Sequence, residues 1–372
     1  MAEFVADFGM LLYVHSGPEE QTNIMFSPLS IFITMCMTFM GSHGETEVEI
    51  RNILYKSKLD KNAVQTSVSA LLKSLQVNEV GVLLRSANQL FCSETVKLLK
   101  SFQDVMTKNF ASDVKQLNFA DSFQATQKIN SWVQQQTEGK INDLLPPDVI
   151  DEFTQLVLVN ALYFKGDWNT KFNASETVEE DFYSSPSKTV HVPMMKMKGR
   201  FLYGEENGYQ VMALPYVGQT LAFYIILPTE RFGLQSFMKK LTGESLIAFM
   251  EDVYPAPVTV SIPKFKLEKA LDLKDILTGA GLLTMFEKGK ADFTDMNGAR
   301  DLFVGAAKHK AFIEVNEEGS EAAAATAMVM TNRCAMEVVG DIHFNADHPF
   351  LFCITECSTM NILFLGRYMG PQ

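Results

Sequence analysis

A chain of 372 residues, 47% hydrophobic and 20% charged, is long enough to bury a large core, and no low-complexity linker or internal repeat divides it. Its formal net charge of −12 argues against a general nucleic-acid binder and against a polybasic membrane anchor. No apolar run approaches the roughly 18 residues needed to span a bilayer, so a single monomeric domain over residues 1–372 is expected.

The N-terminal segment MAEFVADFGMLLYVHSGPEE lacks the basic leader and small-residue cleavage site of a secretory signal. A cytoplasmic protein is expected, with unconventional export or a trimmed leader as the alternative. Phe4, Phe8, Leu11 and Leu12 fall on one helical stripe that Gly17 and Pro18 end. Ser27 followed by Pro28 is a cap and first-turn pair for a helix running to about Met40, with Gly41 as its stop. Helical patterns recur near 45–54, 61–75, 97–109 and 122–137. From Leu156 the character changes: VLVNALYF, VHVPMMKM, YQVMALPY, LAFYIILP, VTVSIPKFKL, LFVGAAKHKAFIEV, FLFCIT and NILFLG read as strands bounded by Gly, Pro or Asn. An α+β chain with large antiparallel sheets follows.

Residues Glu314 to Thr326 read EVNEEGSEAAAAT, with four consecutive alanines after a strand-like stretch. Laid out as a strand, Ser320, Ala322, Ala324, Thr326, Met328 and Met330 share one small or apolar face. The other face carries Glu321, Ala323, Ala325, Ala327, Val329 and Thr331, its one charge at the mouth. Gly319 supplies a permissive backbone where the chain must reverse. Such a segment is built to enter a sheet.

This run resembles the hinge of the reactive-centre loop of the serpin family, in its ovalbumin-type branch. The match extends to NIMFSPLSIFITMCMTFMGSHGETEVEI, INSWVQQQTEGKINDLL, LVLVNALYFKGDWNTKF, FNADHPFLF and NILFLGR, which lie in the family's order along nearly the whole chain. The resemblance implies about nine helices, three β-sheets and an exposed loop over about 317–340. It implies a hinge of Glu317, Glu318, Gly319, Ser320, Glu321, Ala322, Ala323, Ala324, Ala325 and Thr326. Seventeen residues counted from Glu317, the family's usual interval, end at Arg333, so cleavage is expected between Arg333 and Cys334. The stretch from Cys334 to Pro349 is a few residues longer than the family pattern, which sets Met330 or Met336 beside Arg333 as alternatives. An arginine suits a protease pocket with a carboxylate at its base, so the expected partners are trypsin-like serine proteases held as a covalent complex.

The same resemblance makes Ser27, Ser30, Asn160 and His309 a hydrogen-bonded cluster beneath the central strands, and Trp168 an aromatic plug where the hinge enters. Without it, His309 reads as a structural histidine and Trp168 as a core residue. Five cysteines, at 36, 92, 334, 353 and 357, form no disulfide framework; Cys334, beside a cation, reads either as a redox-sensitive thiol or as an incidental one. Lys97, Lys100 and Lys108 read as a solvated face rather than as a site for a heparin-like polyanion. No metal, cofactor or catalytic motif is expected. A non-inhibitory chaperone, carrier or storage protein is the alternative function, and the small residues from Ser320 to Ala325 argue against it.

Overall fold

The computed structural model describes residues 1–17, 21–75, 81–320 and 342–371. In chain order the first part holds α1 (Ala2–His15), β1 (Ile24–Phe26), α2 (Pro28–Gly41), α3 (Gly44–Tyr55), α4 (Lys61–Ser74), β2 (Val82–Ser93), α5 (Lys100–Phe110), β3 (Val114–Leu117), α6 (Ser122–Gln136) and β4 (Leu156–Asp167). The middle holds β5 (Val178–Ser185), β6 (Lys188–Glu206), β7 (Tyr209–Pro215), β8 (Leu221–Pro228), α7 (Leu234–Met238), α8 (Gly243–Glu251), β9 (Tyr254–Pro263), β10 (Phe265–Asp272), α9 (Leu273–Gly279) and α10 (Thr294–Asn297). The end holds β11 (Val304–Val315), β12 (Gly319–Ser320), β13 (Ile342–Asn345), β14 (Phe350–Glu356) and β15 (Ile362–Tyr368).

Helix α2 starts where the sequence places it. The Ser27 hydroxyl accepts the Ser30 amide at 3.1 Å, and Pro28 occupies the first turn, where no amide is needed. All fourteen residues of α2 are buried, so it is a core element rather than an amphipathic surface helix. Asp60 and Asp121 cap α4 and α6 in the same way as Ser27.

Six strands form the central sheet in the order β10-β11-β12-β4-β2-β3. Its faces follow the period of two. In β11, Ala307, Ala311, Ile313 and Val315 point into the larger core that contains α2, while Ala306 and Phe312 point to a smaller core with Ile129 and Val133 of α6. The other strands run in the order β1-β15-β14-β8-β7-β6-β9-β13, with β5 on β6. The nineteen residues of β6 pair with β5 and β9 along one part and with β7 along another, so two of the three expected sheets are fused along this strand.

Two readings of single elements are corrected, and one strand goes unread in the sequence. The helix expected over 97–109 begins at Lys100, leaving Lys97 ahead of it. The stretch VTVSIPKFKL is not one strand: β9 ends at Pro263 and β10 begins at Phe265 in the other sheet, with Lys264 as the joint. Proline has no amide with which to extend a ladder, so the change of sheet falls beside it. An early strand, β2, pairs with β4 from Val82–Gly166 to Cys92–Leu156. Its centre, RSANQ, carries too many polar residues to read as buried strand.

Candidate functional site

The site lies where β12 enters the central sheet. Strands β4 and β11 run parallel and pair directly from Leu156–Val304 to Tyr163–Phe312. Beyond those pairs they part and β12 sits between them, Ser320 opposite Val315 on one side and opposite Gly166 on the other, both antiparallel. Gly319 and Ser320 are buried, so the start of the expected exposed loop is already sheet. Residues Glu321, Ala322, Ala323, Ala324, Ala325, Thr326, Arg333 and Cys334 lie outside the described residues, as do Met330 and Met336.

Reversal from β11 into β12 depends on Asn316, whose Oδ1 accepts the Glu318 amide at 3.0 Å and the Gly319 amide at 3.3 Å. The sequence assigns a permissive backbone at this reversal to Gly319, and its φ of 155°, which L side chains rarely adopt, agrees. Gly319 also permits proximity: a Cβ there would lie 2.0 Å from the Gly166 carbonyl oxygen and 2.6 Å from Asp167 Cα. Backbone cannot yield that far, so any side chain at 319 pushes β12 out of its slot.

Aromatic rings floor this entrance. Trp168 is 2% exposed and stacks on Tyr216 with centroids 4.7 Å apart, while its indole N–H donates to the Asn316 carbonyl at 2.8 Å. The Tyr216 and Ser320 hydroxyls share a hydrogen bond of 2.6 Å. Burial pushes the Tyr216 phenol far up, so it stays neutral. Two carboxylates clasp the turn from outside. Glu317 accepts from Lys264 Nζ and from the Thr177 hydroxyl, both at 2.9 Å, and Glu318 pairs with Lys171. Partial burial would raise the Glu317 carboxyl, but hydrogen bonds from Lys264, from its own backbone and from Thr177 outweigh it and hold the group below the ordinary range. Backbone bonds from Trp168 to the Glu318 carbonyl (2.8 Å) and from Phe172 to the Glu317 carbonyl (2.9 Å) close the clasp.

A second group lies farther down the same two strands. His309 and Asn160 face each other across β11 and β4, and Asn88 of β2 faces Asn160. His309 is fully buried and its Nε2 accepts the Ser27 amide at 3.1 Å. Burial pushes its pKa down to about 3, so the ring is neutral with its proton on Nδ1, which has no partner among the described residues. The Asn160 amide donates to the Ser30 carbonyl at 3.3 Å, to Asn88 Oδ1 at 3.1 Å and to the Thr34 hydroxyl, and the Ser30 hydroxyl donates to Asn88 Oδ1 at 2.5 Å. Thus Ser27, Ser30, Asn160 and His309 come together, joined by Thr34 and Asn88. Tyr216, Lys171, Lys264, Thr177, Thr34 and Asn88 are not singled out by sequence, because their partners lie tens to hundreds of positions away; Asn316 is missed as well, although its partners Glu318 and Gly319 are two and three residues on.

One described group has the spacing of metal ligands: His43, Glu47 and Asp295. The Lys61 ammonium already sits among them, 2.7 Å from Asp295 and 3.4 Å from Glu47, and supplies the positive charge. No described helix is long and apolar enough to cross a membrane.

Two parallel strands at the heart of the six-strand sheet are thus parted at one end by the first residues of another. The chain belongs to the serpin family: the family described as Serpin (serine protease inhibitor) matches residues 3–371. It is 39% identical to Serpin B6 of Macaca fascicularis over 377 residues, covering 100% of this chain and 99% of the relative. To the leukocyte elastase inhibitor of Xenopus laevis it is 38% identical, covering 94% and 93%. Uncleaved ovalbumin superposes with a TM-score of 0.87 at 27% identity, covering 99% of this chain and 98% of that one. The likeness is to the ovalbumin-type branch.

Proposed function

We propose that the protein inhibits trypsin-like serine proteases as a suicide substrate cut between Arg333 and Cys334. The seating of β12 between β11 and β4 carries this reading, because a longer strand continued in the same register would enter between them. Continued in the same antiparallel register, residues 320–331 would lie along β11 from Val315 to Val304, about 40 Å at ~3.3 Å per residue. Thr326 would then fall between His309 and Asn160, which face each other now. In the intact chain insertion is opposed at the far end, since Ile342–Asn345 pair with β9 in the other sheet.

The enzyme's serine oxygen attacks the Arg333 carbonyl carbon and the Arg333–Cys334 bond breaks. The new amine stays on Cys334, and the enzyme is left as an ester on Arg333. That end of the loop is now free of β13 and draws the enzyme with it as the strand inserts. Each added backbone hydrogen bond contributes about 1 kcal/mol net, so a dozen rival the stability of an ordinary domain. The uncleaved fold is accordingly metastable and held by kinetics. In this reading the Glu317 and Glu318 clasp sets how readily the hinge moves, and the cluster at His309 sets how readily β4 and β11 part. Four described cysteines are free, which suits the reducing cytoplasm.

Mixing the protein with trypsin should give a boiling-resistant band near the summed masses, and mass spectrometry of the released peptide should begin at Cys334. Cleavage without such a band would favour the non-inhibitory reading, and a peptide starting elsewhere would move the bait to Met330 or Met336.

A further inference from the structure

The dipeptide Asn-Gly occurs twice in the chain, at Asn207–Gly208 and at Asn297–Gly298. In this pair the glycine puts no side chain beside its own amide nitrogen, which can therefore approach the asparagine carboxamide. The fold treats the two copies differently. Asn207 and Gly208 form the connection between β6 and β7, with Glu206 facing Tyr209 across it. Their φ angles are 51° and 83°, both positive as in the tight hairpin turn that Asn-Gly favours. Both residues are exposed, and the Asn207 side chain makes one hydrogen bond, from Nδ2 to its exposed neighbour Glu206 at 2.9 Å. The Gly208 amide has no partner among the described residues.

Asn297, by contrast, ends α10 and is half-buried. Its Oδ1 accepts the Ala299 amide at 3.0 Å and its Nδ2 donates to Asp301 at 2.8 Å. The Gly298 amide donates to the Thr294 carbonyl at 2.8 Å, so the nitrogen that would have to attack is already engaged. Two more hydrogen bonds must open here than at Asn207. At roughly a factor of five each, they separate the two rates about twenty-fivefold.

We propose that Asn207 is a self-modifying site, converting in the folded chain to aspartate and isoaspartate while Asn297 is spared. The Gly208 nitrogen bonds to Asn207 Cγ, its proton passes through water to Nδ2, and the Cγ–Nδ2 bond breaks to release ammonia and leave a cyclic imide. Water then opens the ring. Addition at Cγ restores the ordinary peptide with an aspartate, whereas addition at the backbone carbonyl routes the chain through the side chain as isoaspartate. One water is consumed and one ammonia released, with no change of oxidation state. Either product adds a negative charge beside Glu205 and Glu206. Isoaspartate also adds a backbone carbon to a connection that fits at two residues, and so displaces the Gly208 carbonyl, which accepts the amide and the hydroxyl of Thr229, both at 2.8 Å.

The test ages the intact chain at body temperature in mildly alkaline buffer and then digests it with trypsin, which leaves Asn207 in the peptide 201–231 and Asn297 in 291–300. Mass spectrometry should find Asn207 converting about twenty-fivefold faster than Asn297. An isoaspartate-specific carboxyl methyltransferase with a labelled methyl donor, which esterifies the carboxylate freed in isoaspartate, should label 201–231 and leave 291–300 blank. In urea, where neither copy keeps its hydrogen bonds, the two rates should converge. The Asn207→Gly variant suits a positive φ; it should melt like the parent and give no methyl label in 201–231. No conversion of Asn207, equal rates in the folded chain, or an undiminished difference in urea would overturn the proposal. The displacement at Thr229 is read by melting: the aged chain should melt below a fresh Asn207→Asp variant, which carries the same added charge without the extra carbon, and equal melting would refute that part.

Discussion

Replacing Ala324 by arginine puts a cation where the inserted strand has no room for one. Ser320 lies opposite Val315 and Gly166; on the proposed insertion in that antiparallel register, position 324 would fall between Ala311 and Leu162. Those two already face each other and are 0% and 3% exposed. Their side of the sheet belongs to the larger apolar core, which offers a guanidinium nothing to pair with. A buried charge left without a partner costs about 3–5 kcal/mol. Set against the barrier to insertion, that slows the step roughly 10²- to 10⁴-fold, while hydrolysis of the acyl-enzyme by water is untouched. The Ala324→Arg variant should therefore be cut by trypsin and the enzyme released, the inhibitor consumed per enzyme trapped rising from near one toward a pure substrate that traps none. Gel electrophoresis of boiled mixtures and titration of residual trypsin activity measure this directly. Undiminished inhibition would show that position 324 does not enter the core, and the register reasoned from β12 would be wrong.

Arg333→Ala should abolish inhibition of trypsin with no change in the melting temperature of the intact protein; retained potency would relocate the bait. Glu317→Gln removes the partner of Lys264 and Thr177 and should lower stability by about 1 kcal/mol or less, the pair being partly exposed, while speeding uptake of a peptide copying 320–331. Because the Glu317 carboxyl is held below its ordinary range, its contribution is complete above that range and fades as pH falls through it; the variant should lack this part of the acid sensitivity. For His309 the folded pKa of about 3 lies below the unfolded 6.5, so the unfolded chain binds the extra proton between them and stability falls as pH drops from 6.5, by up to about 1.4 kcal/mol per unit. Melting curves of His309→Gln should show a shallower slope across that window, and an unaltered slope would mean that His309 is not the group titrating.

Local signals carried far along this chain where one residue type answers one backbone need. Ser27-Pro28 reads as a helix start because cap and first turn are adjacent in sequence, and the strands after Leu156 read as strands because burial there is continuous. The proposed hinge draws notice for the same reason: Ser320 and the alanines after it are small residues in succession. What sequence hides is whatever depends on distance along the chain. Lys264 and Lys171 look like ordinary surface lysines until the turn at Glu317 and Glu318 is folded between them. Asn88 sits in a polar stretch that reads as loop, yet it is the acceptor that joins Ser30 to Asn160. Gly319 reads as a turn glycine and its φ of 155° agrees, but only the 2.0 Å approach of the Gly166 carbonyl reveals that it is needed for clearance as well.

The hairpin from β11 into β12 is the most local contact available to either strand, whereas the direct pairing of β11 with β4 joins residues about 150 positions apart. Local contacts form sooner, since closing a long loop costs more chain entropy. During synthesis the bait segment also leaves the ribosome before Ile342–Asn345, the strand whose pairing with β9 secures its far end. On the proposed strand-inserting reading, the quickest route during that interval would fill the slot, and the inhibitory fold would be reached only if β13–β15 dock in time. Slowing translation just before residue 342 should therefore raise the share of chains that emerge with the extra strand in place and no inhibitory capacity.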